Sequence, residues 1–188
     1  MARWEPGAQE RLCRAALDLY LERGFDDVTV AEITERAGLT RRTFFRYFTD
    51  KREVLFGGAA QLPGIVTRAV REVDEGPAPF EVVLAALRSV GAVIVEHATR
   101  TRERRRVIAA SPELQERERT KQAAITDAVA EGLRGRGVAG PTATLLAGVG
   151  VAILCAAIER WVDGDGVPFD TCFDEAVGEV TAGCAAAS

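Results

Sequence analysis

The sequence has little histidine and little cysteine. His97 is its only histidine, and its four cysteines form no C-x-x-C pair. A structural zinc site needs four such ligands at short spacings, so we expect neither a metal nor a cofactor. One histidine also argues against Ser-His or Cys-His catalysis, and we do not expect an enzyme. The first residues contain no apolar run, so we expect no signal peptide and a cytoplasmic location with reduced thiols.

A long uninterrupted apolar run is also missing. No charged residue occurs from Gly137 to Ile158, but Pro141 leaves only 17 residues before Glu159. This is shorter than the ~20 apolar residues of a membrane-spanning helix. The alanine and glycine in the run instead predict a buried helix that packs through small side chains, and we expect no membrane partner.

The chain has no excess of positive charge, since its net charge is −4. No overall basic field therefore indicates a nucleic-acid partner. The charge is unevenly distributed, however: residues 36–52 hold six basic groups against Asp50 alone, and residues 141–188 hold one basic and seven acidic groups. This pattern favours an anion-binding face at one end of the molecule, with a solvated helix face as the alternative.

Apolar residues recur at helical spacing along the whole chain, and no segment has a convincing strand pattern. We therefore predict an all-α protein of about nine helices. The first ends near Gly24, and capping signals open the second, third and fourth at Thr29, Thr40 and Asp50. The fourth is expected to break near Pro63. The other five are expected at residues 80–94, 100–110, 111–136, 142–162 and 169–186.

Residues 28–51 read VTVAEITERAGLTRRTFFRYFTDK. Two short helices joined through Gly38 have the helix-turn-helix arrangement, in which the second helix enters the major groove of DNA. That helix carries arginines, hydroxyls and aromatic groups on one side and the apolar anchors Leu39, Phe44 and Phe48 on the other. The groove is lined by phosphates, and its base edges offer acceptors, so this composition predicts DNA binding.

The same stretch resembles the DNA-binding domain of TetR-family transcriptional regulators. The family pattern T-x-x-x-I-x-x-x-A-G-[hydrophobic]-[ST]-x-x-T-[FL]-[aromatic]-x-[YH]-F-x-x-K agrees at twelve positions. They are Thr29, Ile33, Ala37, Gly38, Leu39, Thr40, Thr43, Phe44, Phe45, Tyr47, Phe48 and Lys51. The resemblance implies a helix-turn-helix domain at residues 1–52 and a helical ligand-binding and dimerisation domain at residues 53–188.

The resemblance also implies a homodimeric, ligand-responsive regulator. We expect a repressor that a small hydrophobic or amphipathic ligand releases from a near-palindromic double-stranded DNA operator. Two alternatives remain: an activator with the same DNA-binding domain, and a helical carrier of apolar metabolites that does not bind DNA.

Carried over position by position, the resemblance assigns phosphate contacts to Thr29, Thr43, Tyr47 and Lys51. Arginines of the second helix would reach base edges and nearby phosphates. Phe45 stands where the family often has Tyr; without a hydroxyl, it would contact a thymine methyl group or pack. The predicted DNA-binding residues are Thr29, Thr40, Arg41, Arg42, Thr43, Phe45, Arg46, Tyr47 and Lys51.

The last two helices carry apolar faces larger than a chain of this size leaves exposed. The family dimerises through these helices into a four-helix bundle, and the spacing of Gly148 and Ala152 would permit close approach. Burial within one protomer is the alternative. The predicted interface residues are Leu145, Val149, Ala152, Ile153, Ala156, Phe173, Val177, Val180 and Cys184.

Apolar residues predict a ligand pocket between helices four to eight, with a plain core as the alternative. They are Leu62, Ile65, Val66, Leu84, Leu87, Val90, Ile94, Val107, Ile108 and Leu114. The segment RRTFFRYF and the arginine-rich stretch before Ser111 are similar to those of members that sense acyl-coenzyme A thioesters, including regulators linked to mycofactocin clusters. Arg102, Arg104, Arg105 and Arg106 would then meet coenzyme A phosphates, or else form a solvated helix face.

Overall fold

The computed structural model describes residues 7–57, 61–96, 98 and 100–185, without the side chains of residues 184 and 185. His97 lies outside this part of the chain. Within it there are nine α-helices and no strand, which confirms the predicted all-α fold. The helices are α1 (Ala8–Arg23), α2 (Val30–Arg36), α3 (Arg41–Tyr47), α4 (Leu62–Glu72), α5 (Pro79–Glu96), α6 (Thr101–Ala109), α7 (Pro112–Gly135), α8 (Gly140–Asp163) and α9 (Phe169–Ala185).

The start of the fourth helix differs from the prediction. The Asp50 carboxylate accepts hydrogen bonds from the backbone N–H groups of Arg52 and Glu53, at 2.8 and 3.3 Å, and a short 3₁₀ helix at Glu53–Phe56 follows. The helix α4 begins only at Leu62, with Pro63 in its first turn. A proline is well placed there because the first turn needs no N–H donor from it. The break therefore precedes the proline.

The described residues form two compact units, each with its own apolar core. The first contains the described parts of residues 1–60 and 100–119, and the second those of residues 61–99 and 120–188. This division differs from the predicted boundary after residue 52. Three short helices supply only a small core, and the first unit enlarges it with distant apolar side chains. These are Val54, Leu55, Phe56, Val107, Ile108 and Leu114.

Two helices of the first unit are too short to be stable in isolation. Both α2 and α3 have seven residues, too few for an isolated helix to be stable in water. Ile33 of α2 and Phe44 of α3 are completely buried in a core that also contains Leu12 and Ala16 of α1. Packing against α1 therefore supplies the stability that these two helices lack.

Polar contacts fasten the beginning of α2. The backbone N–H of Thr29 donates to the Glu32 carboxylate at 2.8 Å, and the Glu32 N–H donates to Thr29 Oγ1 at 3.3 Å. This confirms the predicted capping box. Arg23 of α1 also donates to Glu32 at 2.8 Å. The hydrogen bonds from Arg23, then those from Thr29, lower the pKa of Glu32 to about 2.

In the second unit, α8 packs against α5 and α9. Its buried face is rich in small residues, as predicted, and a Cβ atom on Gly150 would lie 2.3 Å from a methyl carbon of Val83. By length and composition α8 could also cross a membrane, with a mean hydropathy of 2.0 and 39% of its apolar window buried. Burial against α5 and α9 is the arrangement of a core helix in a bundle.

The capping box predicts a pH dependence of stability. Glu32 has a folded-state pKa of about 2, below its usual 4.5, so its stabilising contacts are complete above pH 4.5 and are lost as pH falls towards 2. We expect Glu32→Gln to unfold more easily than the wild type at pH 7. The difference should shrink between pH 4.5 and 2 in urea-unfolding measurements.

The matched control is Glu35→Gln. Glu35 is exposed on the same helix, and its side chain makes no hydrogen bond within the described part of the chain. Its substitution should change stability little at any pH. A Glu32→Gln deficit that stays constant down to pH 2 would contradict the role given to this carboxylate.

Candidate nucleic-acid interface

The turn between α2 and α3 closes through backbone hydrogen bonds. The Leu39 N–H donates to the Thr34 carbonyl at 2.8 Å, and the Gly38 N–H donates to the Glu35 carbonyl at 3.0 Å. This pair of bonds is a Schellman motif, which needs a left-handed residue after the helix end. Gly38 supplies it with a φ of 65°, as the sequence predicted. Thr40 then caps α3, accepting from the Thr43 N–H at 3.1 Å.

The helix α3 has one buried side and one exposed side. Phe44 is completely buried, and Phe48, directly after the helix, is 4% exposed. Phe45, by contrast, is 57% exposed, with its ring set edge-on to Phe44 at 5.3 Å between centroids. Arg41, Arg42 and Arg46 are exposed as well. The side that the sequence predicted to face DNA is therefore the side that faces solvent.

The six basic groups of residues 36–52 differ in what they bind. Arg36 makes two hydrogen bonds of 2.9 Å to Glu22, and Arg52 pairs with Asp50 at 2.6 Å. Within the described part of the chain, Arg41 and Arg42 have no partner. Arg46 stacks its guanidinium 4.8 Å from the Tyr47 ring centroid and donates to the Tyr47 hydroxyl at 3.1 Å, so it remains uncompensated in charge. The uncompensated charge is thus concentrated on α3.

Lys51, a predicted phosphate contact, forms hydrogen bonds within the protein. Its ammonium donates to the backbone carbonyls of Phe25, Val28 and Asp26 at 2.8, 2.9 and 3.1 Å. A lysine has three N–H donors, and all three are used here. A phosphate would therefore have to compete with three hydrogen bonds already formed inside the protein.

The threonine hydroxyls that were predicted to contact DNA also form hydrogen bonds at the starts of the helices. Thr29 Oγ1 donates to Glu32 at 2.7 Å, and the hydroxyls of Thr40 and Thr43 lie 3.0 Å apart. Thr29 and Thr40 are exposed, whereas Thr43 and Tyr47 are half-buried. Each oxygen has a second lone pair or a rotatable proton, so capping leaves the hydroxyls able to form one further hydrogen bond.

The predicted pocket residues are divided between the two units. Val107, Ile108 and Leu114 belong to the core of the first unit, whereas the other seven belong to the second unit. Their distance in sequence from the first helices concealed this packing. Of the remaining seven, Val66, Leu87 and Val90 are buried core residues, Ile65 is 48% exposed, and three are half-buried. The half-buried ones are Leu62, Leu84 and Ile94.

A groove of about 740 Å³ lies between α4 and α7 in the second unit. Its walls are mixed in charge, with Arg68 and Arg71 on α4 facing Asp127 and Glu131 on α7. None of the ten predicted pocket residues lines it. The sequence prediction missed this groove because it searched for apolar residues, whereas these walls are charged.

One arginine of α6, Arg104, is more engaged than a residue on a solvated face would be, whereas Arg102 and Arg106 are exposed. The guanidinium carbon of Arg104 lies 5.5 Å from the Phe56 ring centroid. A guanidinium nitrogen of the same residue lies 3.5 Å from the Glu118 carboxylate. Arg117 stacks near the same ring at 5.4 Å and binds Glu53. The prediction missed this cluster, since Glu53 and Phe56 lie about 50 to 65 residues before the two arginines and no local pattern connects them. Arg104 is therefore engaged in packing rather than held out towards a ligand.

The predicted interface residues fall into two groups. Ile153 and Phe173 are buried in the core of their own unit, at 2% and 0% exposure, so their assignment to a dimer interface was wrong. Both lie on the inner faces of α8 and α9, which the apolar periodicity alone did not separate from the outer faces. The outer residues are Leu145, Val149, Ala152, Ala156, Val177 and Val180. The side chain of Cys184 lies outside the described residues.

Comparison with known proteins places the chain in a family. Residues 12–56 match the family of bacterial regulatory proteins called the tetR family, and residues 77–185, more than half of the chain, match the MftR C-terminal domain. A relative from Mycobacterium tuberculosis, named the mycofactocin biosynthesis transcriptional regulator MftR, is 29% identical over 176 residues. The alignment covers 89% of this chain and 86% of the relative.

Solved structures show the same fold. The SmeT–triclosan complex, whose protein is a Stenotrophomonas maltophilia repressor, aligns with a TM-score of 0.60 at 19% identity over 92% of this chain and 91% of that one. Thermus thermophilus FadR, in complex with lauroyl-CoA, aligns with a TM-score of 0.50 at 24% identity over 90% and 91% of the two chains. The chain belongs to the TetR family of bacterial transcriptional regulators, in the group that carries an MftR-type C-terminal domain.

Proposed function

We propose that this regulator binds a near-palindromic operator in duplex DNA by inserting α3 into the major groove. The observation that carries the proposal is the uncompensated charge of Arg41, Arg42 and Arg46 on the exposed side of a helix whose other side is buried. Arginine reads guanine through two acceptors on the base edge, and we assign this role to Arg41 and Arg42. Exposed Phe45 would contact a thymine methyl group.

The remaining contacts of the proposed complex are to phosphates. Arg46 and Tyr47 lie at the C-terminal end of α3, and the hydroxyls of Thr29, Thr40 and Thr43 lie near the starts of α2 and α3. Phosphate contacts fix the register of the protein on the duplex but carry no sequence information. In this arrangement the first unit is the DNA-binding part of the chain and the second unit is the regulatory part.

We further propose that the protein is a homodimer joined through the outer faces of α8 and α9. Leu145 is 66% exposed on α8, and small residues at Gly148 and Ala152 follow it along the same face. An exposed apolar face of this kind is typical of a protein–protein interface. A second copy of the chain would cover it in a dimer with two-fold symmetry. The dimer would place its two α3 helices in successive major grooves, about 34–36 Å apart.

The proposed ligand is an amphipathic small molecule of the acyl-coenzyme A class, bound in the second unit. Support comes from the lauroyl-CoA complex of the FadR neighbour and from the half-buried apolar residues of α4 and α5. A ligand that binds the DNA-free form more tightly lowers DNA affinity by the same factor. The protein would therefore act in the cytoplasm as a repressor that its ligand releases.

The substitution Arg42→Ala tests the assignment of α3. The probe is a duplex selected by the wild-type protein from a random-sequence library. We expect operator binding to weaken by about 1–3 kcal/mol per half-site, with lost preference at one base pair, because a bidentate contact to guanine disappears. Fluorescence anisotropy with the selected duplex and its single-base variants measures both effects.

Arg36→Ala is the matched control from the same basic segment. Its guanidinium is already bound to Glu22, so its removal should leave operator affinity and base preference nearly unchanged. Equal losses in the two variants, or no loss in Arg42→Ala, would count against α3 as the reading element.

The substitution Leu145→Glu tests the dimer. A carboxylate on the proposed apolar face would have to be buried without a partner, and we expect monomers in sedimentation velocity. The high exposure of Leu145 means that the protomer itself should stay folded. Thr171→Glu is the control, at an exposed position about two and a half turns before Val180 and so on the opposite side of α9, and it should sediment as the wild type does. A dimeric Leu145→Glu variant would place the interface elsewhere.

Lauroyl-CoA tests the ligand class. We expect it to raise the apparent dissociation constant for the selected duplex by at least about 5-fold, a typical size for allosteric coupling. Free coenzyme A and laurate are the controls and should act more weakly, because each carries only half of the amphipathic molecule. Unchanged DNA affinity and unchanged thermal stability at saturating lauroyl-CoA would exclude this ligand class.

A further inference from the structure

Phe45 is an apolar side chain in a charged setting. Its ring is 57% exposed, and it is the only large apolar side chain that is exposed within the described part of the first unit. Its neighbours on the same side of α3 are Arg41 and Arg42, four and three residues before it, and both are exposed. The ring therefore lies on the side of α3 to which the reading of bases is assigned.

The ring of Phe45 is held in place by Phe44. The two rings stand edge-on, with 5.3 Å between their centroids and 80° between their planes, which is a favourable arrangement of two aromatic groups. Phe44 is completely buried and cannot move away. An aromatic side chain with few rotatable bonds also loses little entropy when it contacts a partner. Phe45 is thus presented to solvent in a defined position.

The chemistry of the ring limits what it can recognise. A phenyl ring carries no hydrogen-bond donor or acceptor, so it cannot distinguish bases by the polar groups of their edges. In the major groove, thymine is the one standard base that presents an apolar group, the methyl group on C5. Methylation of cytosine at C5 places the same group at the same position of the pyrimidine ring. An apolar side chain among the arginines of α3 is therefore suited to a 5-methylpyrimidine, whichever base carries the methyl group.

We infer that Phe45 makes operator binding depend on one pyrimidine 5-methyl group in each half-site, which either thymine or 5-methylcytosine supplies. The inference rests on the proposed function, since it takes α3 as the element that reads DNA. It adds a sensitivity of this site to DNA methylation. An operator with cytosine at that position would bind the protein more tightly once the cytosine is methylated.

Replacement of thymine by uracil tests the methyl group, because it leaves every hydrogen bond of the base pair unchanged. The probe is the selected duplex, in which each thymine of a half-site is replaced in turn by deoxyuridine. We expect one position in each half-site at which the replacement weakens binding by the wild type about 4-fold, the usual effect of one buried methyl group. If the wild type binds the duplex and no position shows this uracil effect, the inference is overturned.

Phe45→Ala identifies the side chain that contacts the methyl group. In this variant the thymine and uracil duplexes should bind equally, because the coupling between the ring and the methyl group is gone. The ring is exposed, so the variant should remain folded, and its melting curve checks this. Measurement at low salt strengthens the binding of all duplexes and keeps the ratio measurable in the weaker variant. A uracil effect that persists in Phe45→Ala would assign the methyl group to another side chain and overturn the inference.

The matched control is Arg46→Ala, at the adjacent position of α3. The Arg46 guanidinium is assigned to a phosphate, so its loss should weaken binding to the thymine and uracil duplexes alike. The uracil effect should therefore remain at about 4-fold in this variant. If it disappeared here as well, the effect would report a displacement of the whole helix, and the assignment to Phe45 would be wrong.

A second pair of duplexes separates the two sources of the methyl group. At the methyl-dependent position, the thymine–adenine pair is replaced by guanine paired with either cytosine or 5-methylcytosine, so that only the methyl group differs between the two. We expect the wild type to bind the methylated duplex about 4-fold more tightly, and Phe45→Ala to bind both equally. Equal binding of the two duplexes by the wild type would restrict the recognition to thymine and overturn the inference.

Failure of the proposed function gives a different result. If the wild type selects no duplex from the library, α3 does not read DNA, and the inference about Phe45 falls with the proposed function. If the wild type prefers its selected duplex to a scrambled one but shows no effect of the methyl group, only the inference about Phe45 fails.

Discussion

The burial of Phe44 and Phe48 decides what α3 can present to DNA. Both rings are at least 96% buried in the core of the first unit, and α3 has only seven residues. With its apolar side fixed in this way, a helix of two turns has no freedom to rotate. Arg42 and Phe45 must therefore face solvent. The chemistry of the outer side depends on the packing of the inner side.

A second constraint is the internal use of charge. The segment 36–52 has a formal charge of +5, but Arg36 and Arg52 are bound to carboxylates and Lys51 to carbonyls. These cations hold the first unit together, since they join α1, α2 and the segment after α3. The field available to a polyanion therefore comes chiefly from Arg41, Arg42 and Arg46. The segment has six basic residues, about twice the number whose charge is available to DNA.

Local signals in the sequence predicted local structure well. The capping box at Thr29, the glycine turn at Gly38 and the cap at Thr40 involve residues at most five apart, and the structure contains all three. The twelve-position motif identified the family for the same reason, because the motif is one short contiguous fold element. The nine helices followed from apolar periodicity.

Contacts between distant residues were not predictable in this way. Nothing near Val107 or Leu114 indicates that they pack with α1, and nothing near Lys51 indicates carbonyls some 25 residues earlier. Periodicity also finds the apolar residues of α8 and α9 without showing which of two apolar faces is inner. Ile153 and Phe173 were misassigned for that reason.

The most direct measurement is the salt dependence of binding to the selected duplex for two multiple variants. One combines Arg41→Gln, Arg42→Gln and Arg46→Gln, and the other combines Arg36→Gln and Arg52→Gln. The binding constant falls with salt, and each phosphate contact that is lost makes the slope of log K against log salt shallower by about 0.9. The account predicts a shallower slope and a lost preference for the operator in the triple variant alone. Equal changes in both variants, or none in the triple variant, would contradict it.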